Sequence, residues 1–328
     1  MTRRWLWPVL ILALVAALLL GVGVGSASIP PARAWAALIG HGDPVERAIL
    51  VELRLPRAIL GLGVGAMLGL AGAALQGYLR NPLAEPSVLG ASNGAALGAV
   101  VALYFGLAAQ YPAALPLVAI AGALAALALL FVLAGRSESA LTLILAGIAV
   151  ATLAGAGISL ALNLSPNPFA AIEIMTWLLG SLEDRSFRHV LLALPCIAIG
   201  VALLAGQGRA LDALTLGEDG AAALGVDLRR TRARLLLGTA IGVGGAVAVS
   251  GSIGFVGLIV PHLVRPLTDR SPSAVLWPSA AAGAVLLTLA DVAVRVIPST
   301  NELKLGVVTA FLGVPVFLVH LMRERRLW

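Results

Sequence analysis

The stretch "LLLGTAIGVGGAVAVSGSIGFVGLIVP" (Leu235–Pro261) decides the fold. It carries no charge, yet it is long for one membrane helix and too short for two full ones, since a bilayer core takes roughly 20 apolar residues per helix. Its "VSGSIGFVG" portion (Val249–Gly257) is rich in glycine and serine, which allow a chain reversal. Read as one span, the stretch sends the two ends of the polypeptide to opposite faces of a membrane. Read as two spans, the second is short, runs through His262 to about Arg265, and leaves both ends on one face.

The flanking sequence makes a membrane the right solvent. Trp5–Ala32, Ala58–Leu79, Pro86–Gly135, Ser139–Ile172, Val190–Gly208 and Ser271–Ala290 also lack Asp, Glu, Lys and Arg, and Leu305–Met322 carries only His320. Pro86–Gly135 has room for two spans, broken at Gln110-Tyr111-Pro112. The 328 residues are 60% hydrophobic and 12% charged, with a mean hydropathy of +1.00. Soluble domains run at about 45–50% apolar and about 25% charged. The chain therefore reads as an all-α polytopic membrane protein. Arg3-Arg4, an apolar run and Ser26-Ala27-Ser28 imitate a signal peptide. The run is about 20 residues, longer than a signal core, so an uncleaved first span is expected.

Cations choose between the two readings of Leu235–Pro261, because Lys and Arg accumulate on the cytoplasmic side. Ten spans put Arg3, Arg4, Arg80, Arg136, Arg209, the Arg229–Arg234 cluster, Arg265, Arg270 and the Arg323–Arg326 tail inside, fourteen of the 22 Lys and Arg. Asp and Glu divide evenly, so the bias belongs to cations. Ten spans with both termini cytoplasmic is the expectation. The segments near 26–56, 164–189 and 291–304 then lie outside, and the largest inner loop is about 207–234.

Glycines at Gly61, Gly65 and Gly69, and at Gly238 and Gly242, recur every four residues, the spacing that lets helices approach closely in lipid. The segment "LRNPLAEPSVLGASNGAALGA" (Leu79–Ala99) interrupts this apolar pattern. Pro82 and Pro86 deny it a continuous helix. Non-helical backbone at membrane depth requires protein or water beside it, so this segment is expected to re-enter toward a watery pathway.

Several chemistries are excluded. Cys196 is the single cysteine, so there is no internal disulfide and no cysteine metal cluster, and the four histidines are far apart in sequence. No catalytic set, no metal set and no cofactor is expected. The net charge of +6 marks topology rather than nucleic acid. The only lysine is Lys304, outside any Gly-x-x-x-x-Gly-Lys-Ser/Thr motif, so the chain cannot hydrolyse ATP by that route. No span carries a carboxylate well inside it, against a proton-coupled secondary transporter, which remains the alternative of another class. Asp291 and Arg295 stand one turn apart at an outer helix end and can pair.

"LTLGEDGAAALGVDLRRTRAR" (Leu214–Arg234) offers a docking element. Glu218 and Asp219 suit a helix N-terminus and Gly225 a C-terminal stop, giving a short helix joined to a span.

Six ordered blocks give the chain a family resemblance: Arg54–Ala99, "LILAGIAV" (Leu143–Val150), "WLLGSL" (Trp177–Leu182), "LGEDGAAALGV" (Leu216–Val226), "GSIGFVGLIVPHLVR" (Gly251–Arg265) and "LGVVTAFLGVPVFLVHL" (Leu305–Leu321). In these it resembles the transmembrane permease subunit of type II ABC importers that serve iron–siderophore complexes, haem and vitamin B12. The resemblance implies a fold of about ten transmembrane helices in one domain spanning 1–328, in a bacterial inner membrane. It implies a homodimer in lipid, two cytoplasmic ATP-binding subunits and a periplasmic or lipid-anchored substrate-binding protein. It also implies residue roles. Asn81 and Leu83, with Ser139 and Thr142, correspond to a cytoplasmic gate. Leu216, Gly217, Glu218, Asp219, Gly220, Ala221, Leu224 and Gly225 correspond to the helix that couples to the ATPase. Arg54, Arg57 and Arg295 correspond to arginines that meet carboxylates of the binding protein; the local alternative pairs Arg54 with Glu52 and Arg295 with Asp291. Phe169–Leu182 corresponds to an outer gate, and spans five and ten to the pathway wall. An iron–siderophore cargo is expected on family frequency, with haem and vitamin B12 as alternatives. Lys304 and Val314 depart from the commoner proline and alanine, which bears on cargo.

Overall fold

The computed structural model describes residues 3–111, 113–135, 139–165, 167–297 and 302–324. Arg136, Arg325 and Arg326, which entered the topology argument, and Pro112, at the expected break, lie outside them. Sixteen α-helices follow in order: α1 (Arg3–Gly23), α2 (Pro31–Leu38), α3 (Pro44–Ala48), α4 (Leu55–Leu79), α5 (Ala91–Tyr104), α6 (Leu107–Gln110), α7 (Ala114–Ala134), α8 (Ala140–Asn163), α9 (Pro168–Leu178), α10 (Phe187–Ala205), α11 (Gly208–Leu214), α12 (Glu218–Ala223), α13 (Leu228–Ser250), α14 (Val256–Val264), α15 (Pro272–Val296) and α16 (Leu305–Glu324). A π-helical turn, Ile49–Arg54, leads into α4, and a 3-10 turn, Arg265–Leu267, follows α14. No strand occurs among the described residues.

The deciding stretch forms two helices, α13 and the short α14. The reversal between them uses Gly251 at φ +69, a region a glycine enters without the steric cost of a β-carbon. Phe255, at φ +68, starts α14 from the same left-handed region. Among the described residues, seven helical segments are long and apolar enough to cross a membrane: those containing α1, α4, α7, α8, α10, α13 and α15. Shorter apolar stretches lie in α5, α9, α14 and the Leu305–Val316 part of α16, and α5, α14 and α16 fall where the other three spans are expected.

The bundle is organised around α4, α13 and α15. Apolar surface gains little by leaving lipid for protein, so association depends on close packing. The four-residue glycine repeat supplies it. A β-carbon on Gly65, Gly69 or Gly72 would fall within 3.0 Å of a backbone carbonyl of Gly283, Ser279 or Gly257 respectively, so α4 lies directly against α15 and α14. Gly238 and Gly242 pack α13 against side chains instead: a β-carbon would fall within 3.0 Å of Leu203 Cβ or of the Met67 thioether, with the Gly200 backbone 3.1 Å from the second. Both repeats expected from sequence are thus packing faces. By contrast α1, α8, α10 and α16 each leave large apolar side chains exposed, including Leu12, Leu153, Leu191 and Phe311.

Candidate functional site

The interrupted segment begins where α4 ends. Arg80 takes the left-handed conformation (φ 48) and returns its N–H to the Gln76 carbonyl, a helix stop usually given to glycine. Asn81 then accepts the Leu83 N–H on Oδ1 at 2.9 Å, an Asx-turn that Pro82 reinforces. Three further turns, closed by Ala84 N–H to Asn81 O, Val88 N–H to Glu85 O and Gly90 N–H to Ser87 O, carry the chain to α5. They leave little space beside α8: a β-carbon on Gly147 would fall within 3.0 Å of the Val88 carbonyl, and one on Gly90 would sit 2.7 Å from Val150. Gly147 lies seven residues into α8, about 10 Å along its axis at 1.5 Å per residue. The segment therefore enters the bundle before α5 starts. Of the residues assigned to a gate by resemblance, Asn81 shapes the turn and Leu83 is exposed. Ser139 stands at the N-cap of α8, with Thr142 in its first turn, on the same helix that the segment rests against.

The docking element forms α12, six residues long. Gly225 donates to Ala222 O (2.9 Å) and Val226 to Ala221 O (3.0 Å), a complete Schellman stop with Gly225 at φ +83. Asp227 immediately caps α13 by accepting the Arg230 N–H at 2.9 Å. No slack chain separates the short helix from the span. Ala221 is buried, while Leu216 and Leu224 are 69% and 65% exposed. Glu218 and Asp219 lie in the first turn, after Gly217 at φ +94; Gly220 follows them.

At the other end of α4, the arginines assigned to binding-protein docking are engaged inside the chain. Asp291, 1% exposed on α15, faces Arg57 through Nε at 2.9 and 3.0 Å and Nη2 at 2.8 Å. It also faces Arg295 Nη2 at 3.1 Å, the local pairing that their spacing suggested. Arg57 reaches Glu302 as well, through Nη1 at 3.2 Å and through Nη2. Arg54 does not pair with Glu52. It is buried and donates to the carbonyls of Gly23 (2.8 Å) and Val22 in the last turn of α1 and of Ala27 beyond it, while Arg295 Nη1 donates to Gly21 and Val24 (2.9 Å each). These guanidiniums therefore satisfy the orphan carbonyls of α1. A cavity of about 450 Å³ opens beside the network, lined by Arg54, Arg57, Arg295, Arg185, Glu183 and Glu302 among others. Burial pulls the Arg185 guanidinium below its usual value, which neighbouring Asp184 and Glu183 partly offset.

The α9 region joins this network to α16. Lys304 Nζ meets Glu183 at 2.7 Å. Leu305 and Gly306 donate to the carbonyls of Gly180 and Leu179, and Ser181 donates to Ser250 O (2.7 Å). Gly180, Gly251 and Gly306 each sit so close to a neighbouring carbonyl that a β-carbon would fall within 3.0 Å of it. Sequence reasoning missed Glu183 and Glu302 as partners and Gly306 as a contact. Lone acids in loops carry no signal of what they face.

The comparisons agree with this architecture. The chain matches the FecCD transport family over residues 12–323. It is 41% identical to the uncharacterized ABC transporter permease protein YvrB of Bacillus subtilis, over 95% of this chain and 92% of that one. It is 40% identical to the vitamin B12 import system permease protein BtuC of Vibrio cholerae, over 92% of this chain and 88% of that one. A solved structure of a metal-chelate type ABC transporter in an inward-facing conformation superposes with a TM-score of 0.87 at 32% identity, covering 98% of this chain and 99% of that one. With the family match over residues 12–323, a permease relative 40% identical along most of both chains, and an all-helical fold carrying the capped α12, the chain belongs to the FecCD transport family of ABC importer permeases.

Proposed function

We propose that two copies of this chain form the conduit of an importer, each carrying one cytoplasmic ATP-binding subunit on α12, with a substrate-binding protein delivering cargo at the opposite mouth. The observation that carries this reading is the capped α12, rigidly continuous with α13 and exposing Leu216 and Leu224, in a chain with no phosphate-binding lysine of its own. Force applied to those leucines has no flexible linker in which to dissipate. The whole chain acts as one transmembrane domain in a bacterial inner membrane, both ends cytoplasmic. The segment Asn81–Gly90 and the start of α8 form the inner gate. Arg54, Arg57 and Arg295 act on the docking mouth from within, holding its shape through Asp291, Glu302 and the carbonyls at the end of α1.

The cargo is a bulky metal chelate. The names of relatives at 38–40% identity favour a corrinoid over the iron–siderophore expected from family frequency. Reconstitution with the ATPase subunits and the binding protein tests both levels. ATP-dependent uptake of cobalamin is expected, and uptake of a ferric siderophore instead would move the cargo while keeping the mechanism. Uphill uptake by the permease alone would overturn the mechanism and favour a secondary transporter.

A further inference from the structure

Opposite the outer network lies a second cavity, of about 670 Å³. It is bounded by the last turn of α4, the loop after it, the 3-10 turn after α14 and the first turn of α15. Three arginines line it, Arg80, Arg265 and Arg270, and no carboxylate does. None of the three forms an ion pair with a carboxylate among the described residues. Asp269, next in sequence, accepts from Ser271 through N (3.1 Å) and Oγ (2.7 Å) and is not part of the lining.

Arg265 is held in place by a neutral group. Gln76 is only 3% exposed, and its Nε2 donates to the carbonyls of Gly257 and Leu258 (3.4 and 3.2 Å). Its oxygen is thereby turned to Arg265 Nη2 at 2.8 Å. A buried amide positions the guanidinium and leaves its charge uncancelled. Arg80 and Arg270 add a second observation. Both have positive φ (48 and 67), two of the four non-glycine residues that do so among those described. Such backbone is strained for a residue with a β-carbon and persists where surrounding structure enforces it.

We propose that this cavity binds a phosphate oxyanion, supplied by the headgroup of an anionic phospholipid. Guanidinium forks match phosphate oxygens in geometry and charge. Basic pockets between membrane helices on the cytoplasmic side suit anionic headgroups. The site adjoins both moving parts of the proposed transport cycle: Asn81 of the gate segment lies in its wall, and Arg80 Nη1 lies 3.9 Å from where a β-carbon on Gly217 would stand. An occupant therefore ties the gate loop to the entry of the coupling helix. The inference does not depend on the cargo. It rests on the cytoplasmic placement of this face only for the source of the phosphate.

The test uses the full permease with its ATPase subunits in phosphatidylcholine nanodiscs, alone, doped with phosphatidylglycerol or cardiolipin, or with inorganic phosphate added. Native mass spectrometry counts retained adducts and a thermal ramp reads stability. One anionic lipid per chain is expected, with a raised melting temperature. R265Q, and separately R80Q/R270Q at exposed positions, should weaken retention at least tenfold while melting as the wild type does in phosphatidylcholine alone. The same pattern with inorganic phosphate but not lipid would keep the oxyanion site and overturn its lipid source. Adducts undiminished in both variants, no adducts with either probe, or adducts seen only when the ATPase subunits are removed would overturn the site. The last result would mean that a partner side chain fills the cavity.

Discussion

Replacing Asp291 with asparagine tests whether the outer network holds the fold together. The side chain is nearly isosteric, so packing is retained and only charge is lost. Asp291 is shared by two arginines, at 2.8 Å from Arg57 Nη2 and 3.1 Å from Arg295 Nη2, and all three groups are largely removed from solvent. Removing one partner of a buried pair costs about 3–5 kcal/mol, because the other charge is left uncompensated. Here Arg57 keeps Glu302, and Arg295 keeps the carbonyls of Gly21 and Val24, which places the loss at the lower end. About 3 kcal/mol corresponds to roughly a hundredfold shift in the unfolding equilibrium. Unfolding in mixed micelles with increasing dodecyl sulfate, followed by tryptophan fluorescence, measures it. The double variant R57Q/D291N should lose less than the sum of the two single losses, since it leaves no orphaned guanidinium at position 57. A D291N protein within about 0.5 kcal/mol of wild type, the scatter of ordinary surface substitutions, would refute the reasoning.

Gly72→Ala should destabilise by about 1–3 kcal/mol, since the new methyl meets the Gly257 backbone rather than a side chain that can turn away; the same micelle titration reads it, and a neutral result would mean α4 and α14 separate freely. Lys304→Glu should change stability by less than about 1 kcal/mol, because its pair with Glu183 is partly exposed. It should nonetheless slow transport, and the charge-swapped K304E/E183K protein should recover; absence of recovery counts against the pair as a tie between α9 and α16. Leu83→Ala with Asn81→Ala should raise passive leak of cargo from proteoliposomes, and unchanged leak would remove this segment from the gate.

Much of the architecture was legible because membrane helices announce themselves by composition, and because cation placement resolves an ambiguous stretch such as Leu235–Pro261. The capped α12 was legible for a local reason: Glu218, Asp219 and Gly225 act within a few residues of themselves. The outer network was not. Arg57 meets Asp291 and Glu302 across 234 and 245 residues of chain, and no periodicity encodes that meeting. The pairing of Gln76 with Arg265 is hidden likewise, 189 residues apart. Sequence marks these residues as polar and near span ends; only the packing of α4 against α15 and α14 decides which of them touch.

The crowding of Gly180, Gly251 and Gly306 has a mechanical consequence. Three chain segments meet there largely backbone to backbone, and hydrogen bonds from Ser181, Leu305 and Gly306 fasten them. Such a knot works as a pivot. Were α9 to tilt, the hydrogen bonds of Leu305 and Gly306 to the Gly180 and Leu179 carbonyls would carry that tilt to the head of α16 as a turn about a common point.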